Sequence, residues 1–436
     1  MTDNFPTLPA VDRRGFLRLG GASVAMLSTG ATLSACELRG SSSTASDVLK
    51  IGLVSPQTGP LASFAAPDQF VIKHVTDSLR NGINAGGRTR RIEVVVRDTQ
   101  SSPTRATEVA KQLITSDGVD IVIAAGTPDT ANPVADQCEA SGVPNVTTIV
   151  PWESWFYGRG GKSGVGFKYS TNFYAGLDDM ANAFVAMYGR IDGSPKTVAS
   201  LWPDDTDGNA FRNGFGSILT DAKFGVVDGG QYQNGVTDFS PQIAKFKAEG
   251  SELFNGIPIP PDFQTFWRQA AQQKYRPKLA TIAKSMLFPA EAKALGDLAN
   301  NIATLGWWIP TFPYKSSIDG TTAQELARSF TDSTGQQWSQ ALGSLYSLFE
   351  VCIEAFKAAG DPKDKEDVAD KLRTLRYEGI SGPLDFTTGP EPGVALQKCV
   401  GVQWRPSKQF DWDLTVVDNT TRPDIPLGGD LQPTFA

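Results

Sequence analysis

Asp204 and Asp205 stand side by side in a stretch read as a loop, and paired carboxylates are the residue type that moves protons or activates water. Acid pairs that hydrolyse a bond flank it at a defined separation, which two adjacent residues do not supply. The chain holds a single histidine, His74, set among Val71, Val75 and Leu79 in a segment with helical spacing. One imidazole cannot build a histidine-rich metal site, and any Ser-His-Asp arrangement would have to use this residue on a helix surface. No two of Cys36, Cys138, Cys352 and Cys399 are spaced as Cys-x-x-Cys, so zinc ribbons, haem attachment and dithiol redox centres lack ligands. Outside the cytoplasm the last three permit one disulfide at most. No cofactor motif is present. The chemistry left is binding, with secreted hydrolysis by Asp204 and Asp205 as a distant alternative.

The N-terminal residues say where that binding would occur. Asp12-Arg13-Arg14-Gly15-Phe16-Leu17 resembles a twin-arginine export signal, and Leu33-Ser34-Ala35-Cys36 resembles the cleavage site of a bacterial lipoprotein. Between them, Leu19 to Leu33 is mildly apolar, interrupted by glycines and too short for a stable membrane span. The expectation is that residues 1–35 are removed and Cys36 becomes a lipidated first residue on the outer face of the bacterial cytoplasmic membrane. Residues 36–47, rich in Ser and Gly, then form a flexible spacer. A formal charge of −7 without a basic cluster argues against nucleic acid as a partner. Hydrophobic residues at 40% and charged ones at 20% fit a globular chain, and the chain beyond the leader is long enough for two domains.

Positioning elements recur in a regular rhythm. Val48 to Val54, Ile92 to Asp98, Asp120 to Ala125 and Pro144 to Ile149 read as buried strands. They alternate with helices at Asp68 to Asn84, from Pro103, and through Val134 and Cys138. The alternation resumes at Thr197 to Trp202, Gly225 to Asp228, Glu252 to Phe254, Leu279 to Ile282 and Leu305 to Ile309, again with helices between. Trp338 to Ala359 reads as one long amphipathic helix, and Val400 to Trp404 and Trp412 to Val417 as late strands. The fold class is therefore α/β, with two doubly wound parallel-sheet lobes. Such sheets bind ligands beyond the carboxyl ends of their strands, so two facing lobes would form a cleft.

Ile51-Gly52-Leu53-Val54-Ser55-Pro56-x-Thr58-Gly59-Pro60-Leu61-Ala62 resembles the opening of the type 1 periplasmic binding proteins, the solute receptors of ABC importers in the branched-chain amino acid, amide and urea group. The likeness continues through Val119 to Ala125, Pro203-Asp204-Asp205-x-Asp207-Gly208 and Gly382 to Phe386. It implies two lobes joined by three crossover segments that close like a hinge on one small ligand, with an ABC permease and ATPase as partners. It places 48–157 with 310–395 in the first lobe and 158–309 with 396–436 in the second, in a monomer. A surface receptor that signals without transport would share the same fold.

The resemblance also implies contacts. In the first lobe they are Phe64 after the Gly-Pro turn, Thr127, Asp129 and Thr130 at a helix start, and Thr148 with Trp152 after the fourth strand. Free N–H groups at that helix start would suit a carboxylate. The aromatic run Trp152, Trp155, Phe156 and Tyr157 is read as a pocket wall. In the second lobe the matching loops hold Asn172, Trp202, Asp204, Asp205, Ile257 and Lys284, while Asp207 is read only as the cap of a helix starting at Gly208. Amino acid receptors of this group hold the ligand ammonium with second-lobe acids, and those places here carry Asn172 and Lys284. A free lysine there would attract a carboxylate, so the expected ligand is a carboxylate, amide or aromatic acid rather than a free amino acid.

Overall fold

A computed structural model describes residues 47–435, so the leader, Cys36 and nearly all of the spacer lie outside the described residues. Six early strands belong to one sheet: β1 (Val48–Ser55), β2 (Ile83–Ala85), β3 (Arg88–Asp98), β4 (Ile121–Ala125), β5 (Asn145–Thr148) and β6 (Ser170–Tyr174). The next five, β7 (Thr197–Leu201), β8 (Gly225–Asp228), β9 (Leu253–Gly256), β10 (Leu279–Ile282) and β11 (Ala303–Gly306), belong to a second. A hairpin of β12 (Arg376–Gly379) and β13 (Gly382–Asp385) comes after them, then β14 (Val394–Leu396) returns to pair with β6. Finally β15 (Val400–Pro406) and β16 (Trp412–Asp418) extend the second sheet in antiparallel fashion. The spatial orders are β14-β6-β5-β4-β1-β3-β2 and β16-β15-β11-β10-β9-β7-β8. β4, β5 and β6 are buried along their whole length, as expected for strands covered by helices on both faces.

The chain passes between the sheets three times: after Tyr174, after Gly306 and after Leu396. The first passage comes later than position 158, because Ser170–Tyr174 still pairs with β5 in the first sheet. Polar Ser, Thr and Asn alternating with aromatics hide this strand from a hydrophobicity reading. A second difference arises from two glycines. The helix expected to run to Asn84 stops at Ser78, and Ile83–Ala85 pairs back on Arg88–Arg90 instead. Gly86 and Gly87 both have positive φ, 61° and 73°, which supplies the tight turn between these strands.

The long helix spans Gln340–Ala358 and is buried on nearly every side rather than on one stripe. It packs in the first lobe against β2, β4, β5 and the Asp68–Ser78 helix. Its start also grips the middle passage: Gln340 accepts from the Trp307 N–H at 2.9 Å and donates to the Leu305 carbonyl at 2.8 Å. Trp307 Nε1 donates to Ser344 Oγ at 2.7 Å. Trp308 lies across Gly343, where a methyl group would come within 2.2 Å of the indole. Gly343→Ala should therefore cost about 2–3 kcal/mol through overpacking, seen as a lower urea midpoint with an unchanged m-value.

Candidate binding site between the lobes

The carboxyl ends of both sheets meet at a cavity of about 30 Å³, room for one or two waters. From the first lobe it is lined by Phe64 after β1, Gly126 and Thr127 after β4, Ile149 and Pro151 after β5, and Tyr174 at the end of β6. Met180, Asp207, Ile257, Ala283, Lys284, Leu287 and Leu305 line it from the second lobe. A larger groove of about 570 Å³ opens at the rim between residues 288–293 and 407–412. The strand ends are the site of choice, because the fold delivers convergent polar groups there.

Two residues in this lining carry backbone strain. Ile149 has φ 62° and Lys284 φ 53°, both in the left-handed region. For β-branched Ile149 this conformation is a clear outlier, and such strain clusters at functional sites.

Lys284 is the electrostatic centre. Its side chain is only 3% exposed, and Nζ donates to Asp205 Oδ2 at 3.0 Å and lies 2.8 Å from Asp207 Oδ2. Burial alone would lower the lysine pKa, but the two aspartates outweigh it and hold the group above its ordinary value. Burial pushes Asp207 up to about 6 against the pull of Lys284. Asp205 goes the other way: burial opposes its ionisation, yet Lys284 and the Gly208 N–H keep it below the usual range. Asp205, not Asp207, caps the short Thr206–Ala210 helix through that N–H, at 2.8 Å.

These facts revise the charge expected at the site. Lys284 is neutralised twice over, so the reasoning that it attracts a carboxylate does not hold. The helix start at Thr127 also offers an anion fewer free N–H groups than expected. The Thr127 N–H is turned to Thr130 Oγ1 at 3.4 Å, the Thr130 N–H to the Thr127 carbonyl at 3.0 Å, and Pro128 has none.

Of the residues expected to meet a ligand, Phe64, Thr127, Ile257 and Lys284 line the cavity. Thr130 and Asp205 stand behind that lining, the first folded onto the Thr127 backbone and the second onto Lys284. Asp129 bridges to the other lobe, accepting from Thr206 Oγ1 at 2.5 Å. The rest point elsewhere. Thr148 Oγ1 donates to the Phe173 carbonyl, Asn172 Nδ2 to the Val150 carbonyl, and Trp202 Nε1 to Asn255. Asn172 lies in β6 of the first sheet, not on a second-lobe loop. Exposed Asp204 accepts from Asn209, Gln231 and Gln233, turned away from Asp205, so the two acids do not converge on a water. Trp152 is not in the lining, and Trp155 with Phe156 forms a separate core patch with Phe167, over which the Arg159 guanidinium lies 4.0 Å from the Phe167 ring centre. Of this aromatic run, Trp155 and Phe156 are core, Trp152 packs partly buried against them, and Tyr157 is exposed. Among the described residues, Cys138, Cys352 and Cys399 are buried and form no disulfide with one another.

Residues that sequence reasoning misses include Tyr174, Ile149 and above all Asp207. The signal for Asp207 is present in Asp205-x-Asp207-Gly208, but the pattern does not show which of the two aspartates caps the helix.

Contacts across the cleft are specific. Phe64 meets Phe288 edge-on with ring centres 4.6 Å apart, and Ser63 Oγ donates to Glu291 Oε1 at 3.0 Å. Together with Asp129–Thr206 these latch the lobes shut around the cavity.

The family model described as "Periplasmic binding protein" matches residues 48–409. This chain belongs to that family, as a type 1 member. Leu/Ile/Val-binding protein homolog 6 of Brucella suis biovar 1 is 25% identical over 359 residues, covering 78% of this chain and 84% of the relative. The fold is that of a leucine binding protein from Thermotoga maritima, with TM-score 0.70 and 18% identity over 86% of this chain and 99% of that one. A solute binding protein of an ABC transporter from Rhodopseudomonas palustris, in complex with 3,4-dihydroxy benzoic acid, gives TM-score 0.70 at 17% identity over 88% and 98% of the two chains. Members of this periplasmic binding protein family bind solutes outside the cytoplasm. Among the described residues no helix is long and apolar enough to cross a membrane.

Removing the lysine tests the ion cluster. Lys284→Met leaves two buried carboxylates without their cation and should cost about 3–5 kcal/mol at neutral pH. Uncompensated carboxylates have raised pKa values in the folded state, so stability should recover as the pH falls and they take up protons. Urea unfolding across a pH series measures both effects.

Proposed function

We propose that this protein is the solute receptor of an ABC importer, held to the outer face of the cytoplasmic membrane through lipid on Cys36. It takes a small solute with an apolar body and a polar nitrogen-bearing head, amide or amino-acid-like, and hands it to the permease and ATPase. The observation that carries this reading is the cavity itself, walled by residues of both lobes that touch through Phe64–Phe288, Ser63–Glu291 and Asp129–Thr206. A cavity of about 30 Å³ is far smaller than any amino acid, so solute enters only when the lobes part. Closure then adds contacts from the second lobe that the open form cannot make, and this difference drives the equilibrium. Ile149, Met180, Ile257, Leu287 and Leu305 suit an aliphatic or aromatic body, in keeping with the names of the Brucella and Thermotoga proteins.

A panel of amino acids, amides, amines and aromatic acids, screened by thermal unfolding and X-ray scattering, tests the reading. A true solute should stabilise the fold by about 2.7 kcal/mol at a hundredfold excess over Kd and change the scattering profile as open forms are drawn shut. Phe64→Ala should weaken that solute about tenfold or more, through loss of a buried aromatic wall. A profile and a melting point unmoved by the whole panel would refute solute capture.

A further inference from the structure

Asp207 ends in two oxygens with different fates. Oδ2 is engaged by Lys284 at 2.8 Å, whereas Oδ1 is buried with no hydrogen-bond partner among the described residues, on a residue that lines the cavity. A carboxylate oxygen withdrawn from water and left unmatched is costly unless a donor comes to it. The charges around it add to this. Lys284 contributes one positive charge to the cluster, and Asp205 and Asp207 two negative ones. Asp129, reaching over from the first-lobe helix start, brings a third acid near the cluster, bonded to Thr206 beside Asp207. On the opposite wall, the Thr127 and Thr130 N–H groups at the helix start are turned onto their own turn, and Pro128 has none to offer.

Resting on the solute-capture reading and narrowing it, we propose that the ligand is an apolar primary amine or comparable N–H cation, recognised by Asp207 Oδ1, and that no carboxylate on the ligand is required. Lys284 is the positioning residue: its ion pair fixes Asp207 Oδ2 and leaves Oδ1 to face the solute, while Asp205 holds the lysine. The cation offsets part of the excess negative charge, which a carboxylate would instead increase. Phe64 and Tyr174 offer aromatic surface beside the cation, which favours it further. Asp207 faces Lys284, Asp205, Asp129 and the phenol of Tyr174, and its own ionisation near pH 6 makes amine binding weaken as the pH falls through that value.

Two ligand series with matched carbon skeletons decide the matter on the wild-type protein: isoamylamine, isocaproate and leucine, then phenethylamine, hydrocinnamate and phenylalanine. Titration calorimetry should show an amine binding, the matching acid not binding, and the amino acid no tighter than the amine. Asp207→Asn, similar in shape but uncharged, should weaken the amine about ten- to a hundredfold while its melting point stays close to wild type. Binding of isocaproate or hydrocinnamate as tight as the amines, or an amino acid more than about tenfold tighter, would overturn the amine assignment and leave solute capture standing. So would silence from both amines while another solute shifts the melting point and closes the lobes. Should Asp207→Asn not fold, the wild-type series alone still separates these outcomes.

Discussion

Placing an ammonium and two carboxylates under a cleft costs several kcal/mol per ion before any attraction is counted. Lys284, Asp205 and Asp207 do this with side chains 3%, 7% and 4% exposed. Their attraction offsets the cost only because the three groups are fixed at hydrogen-bond distance by separate elements: the turn after β10 supplies the lysine, and the loop after β7 supplies both acids. Asn234 Nδ2 and the Gly208 N–H satisfy Asp205 further. An apolar trio of similar volume would hold the two loops together as well or better. What an apolar trio could not do is leave one oxygen of Asp207 unmatched beside the cavity.

The same logic explains the strained backbone. Ile149 and Lys284 occupy left-handed conformations at facing strand ends, one from each lobe. Each costs of order 1–3 kcal/mol and persists only because the surroundings dictate it. At Lys284 the strained residue is the one whose ammonium the two aspartates hold. For Ile149 the dictating force is the packing of β5 between β4 and β6, whose ladders run to the very end of the strand. A relaxed chain at either point would turn its side chain elsewhere and lose the wall.

Much of this architecture is legible in the residues alone. The strands of both sheets announce themselves as short apolar runs between helical segments, and β1, β4, β7, β10 and β16 fall within a residue or so of where the pattern puts them. The failures have physical causes. β6 is Ser-Thr-Asn-Phe-Tyr, whose hydroxyls and amide are buried because neighbouring backbone groups satisfy them; Thr171 Oγ1, for example, donates to the Asn145 carbonyl. Hydropathy cannot see such a strand. The Gly86-Gly87 turn is visible as a dipeptide but is lost inside a helical reading. The aromatic run at 152–157 looks like a pocket wall because clustering alone does not reveal on which side of a strand a loop folds back.

Site chemistry is less legible, and Lys284 shows why. Its type and its charge are plain in the sequence, yet its charge acts only in combination. The sequence separation from Asp205 and Asp207 spans three strands, so no local pattern reveals that the lysine is consumed by acids on another loop. Once paired, it reverses the inference: the site carries an excess of negative charge, and the lysine moderates that excess rather than supplying the attraction. The partners of a buried charge, not its own type, decide what it selects. Here those partners lie on the loop after β7, so in the proposed reading the second lobe reads the head group of the solute, and the first lobe contributes chiefly Phe64, Ile149 and Tyr174 as walls for its body.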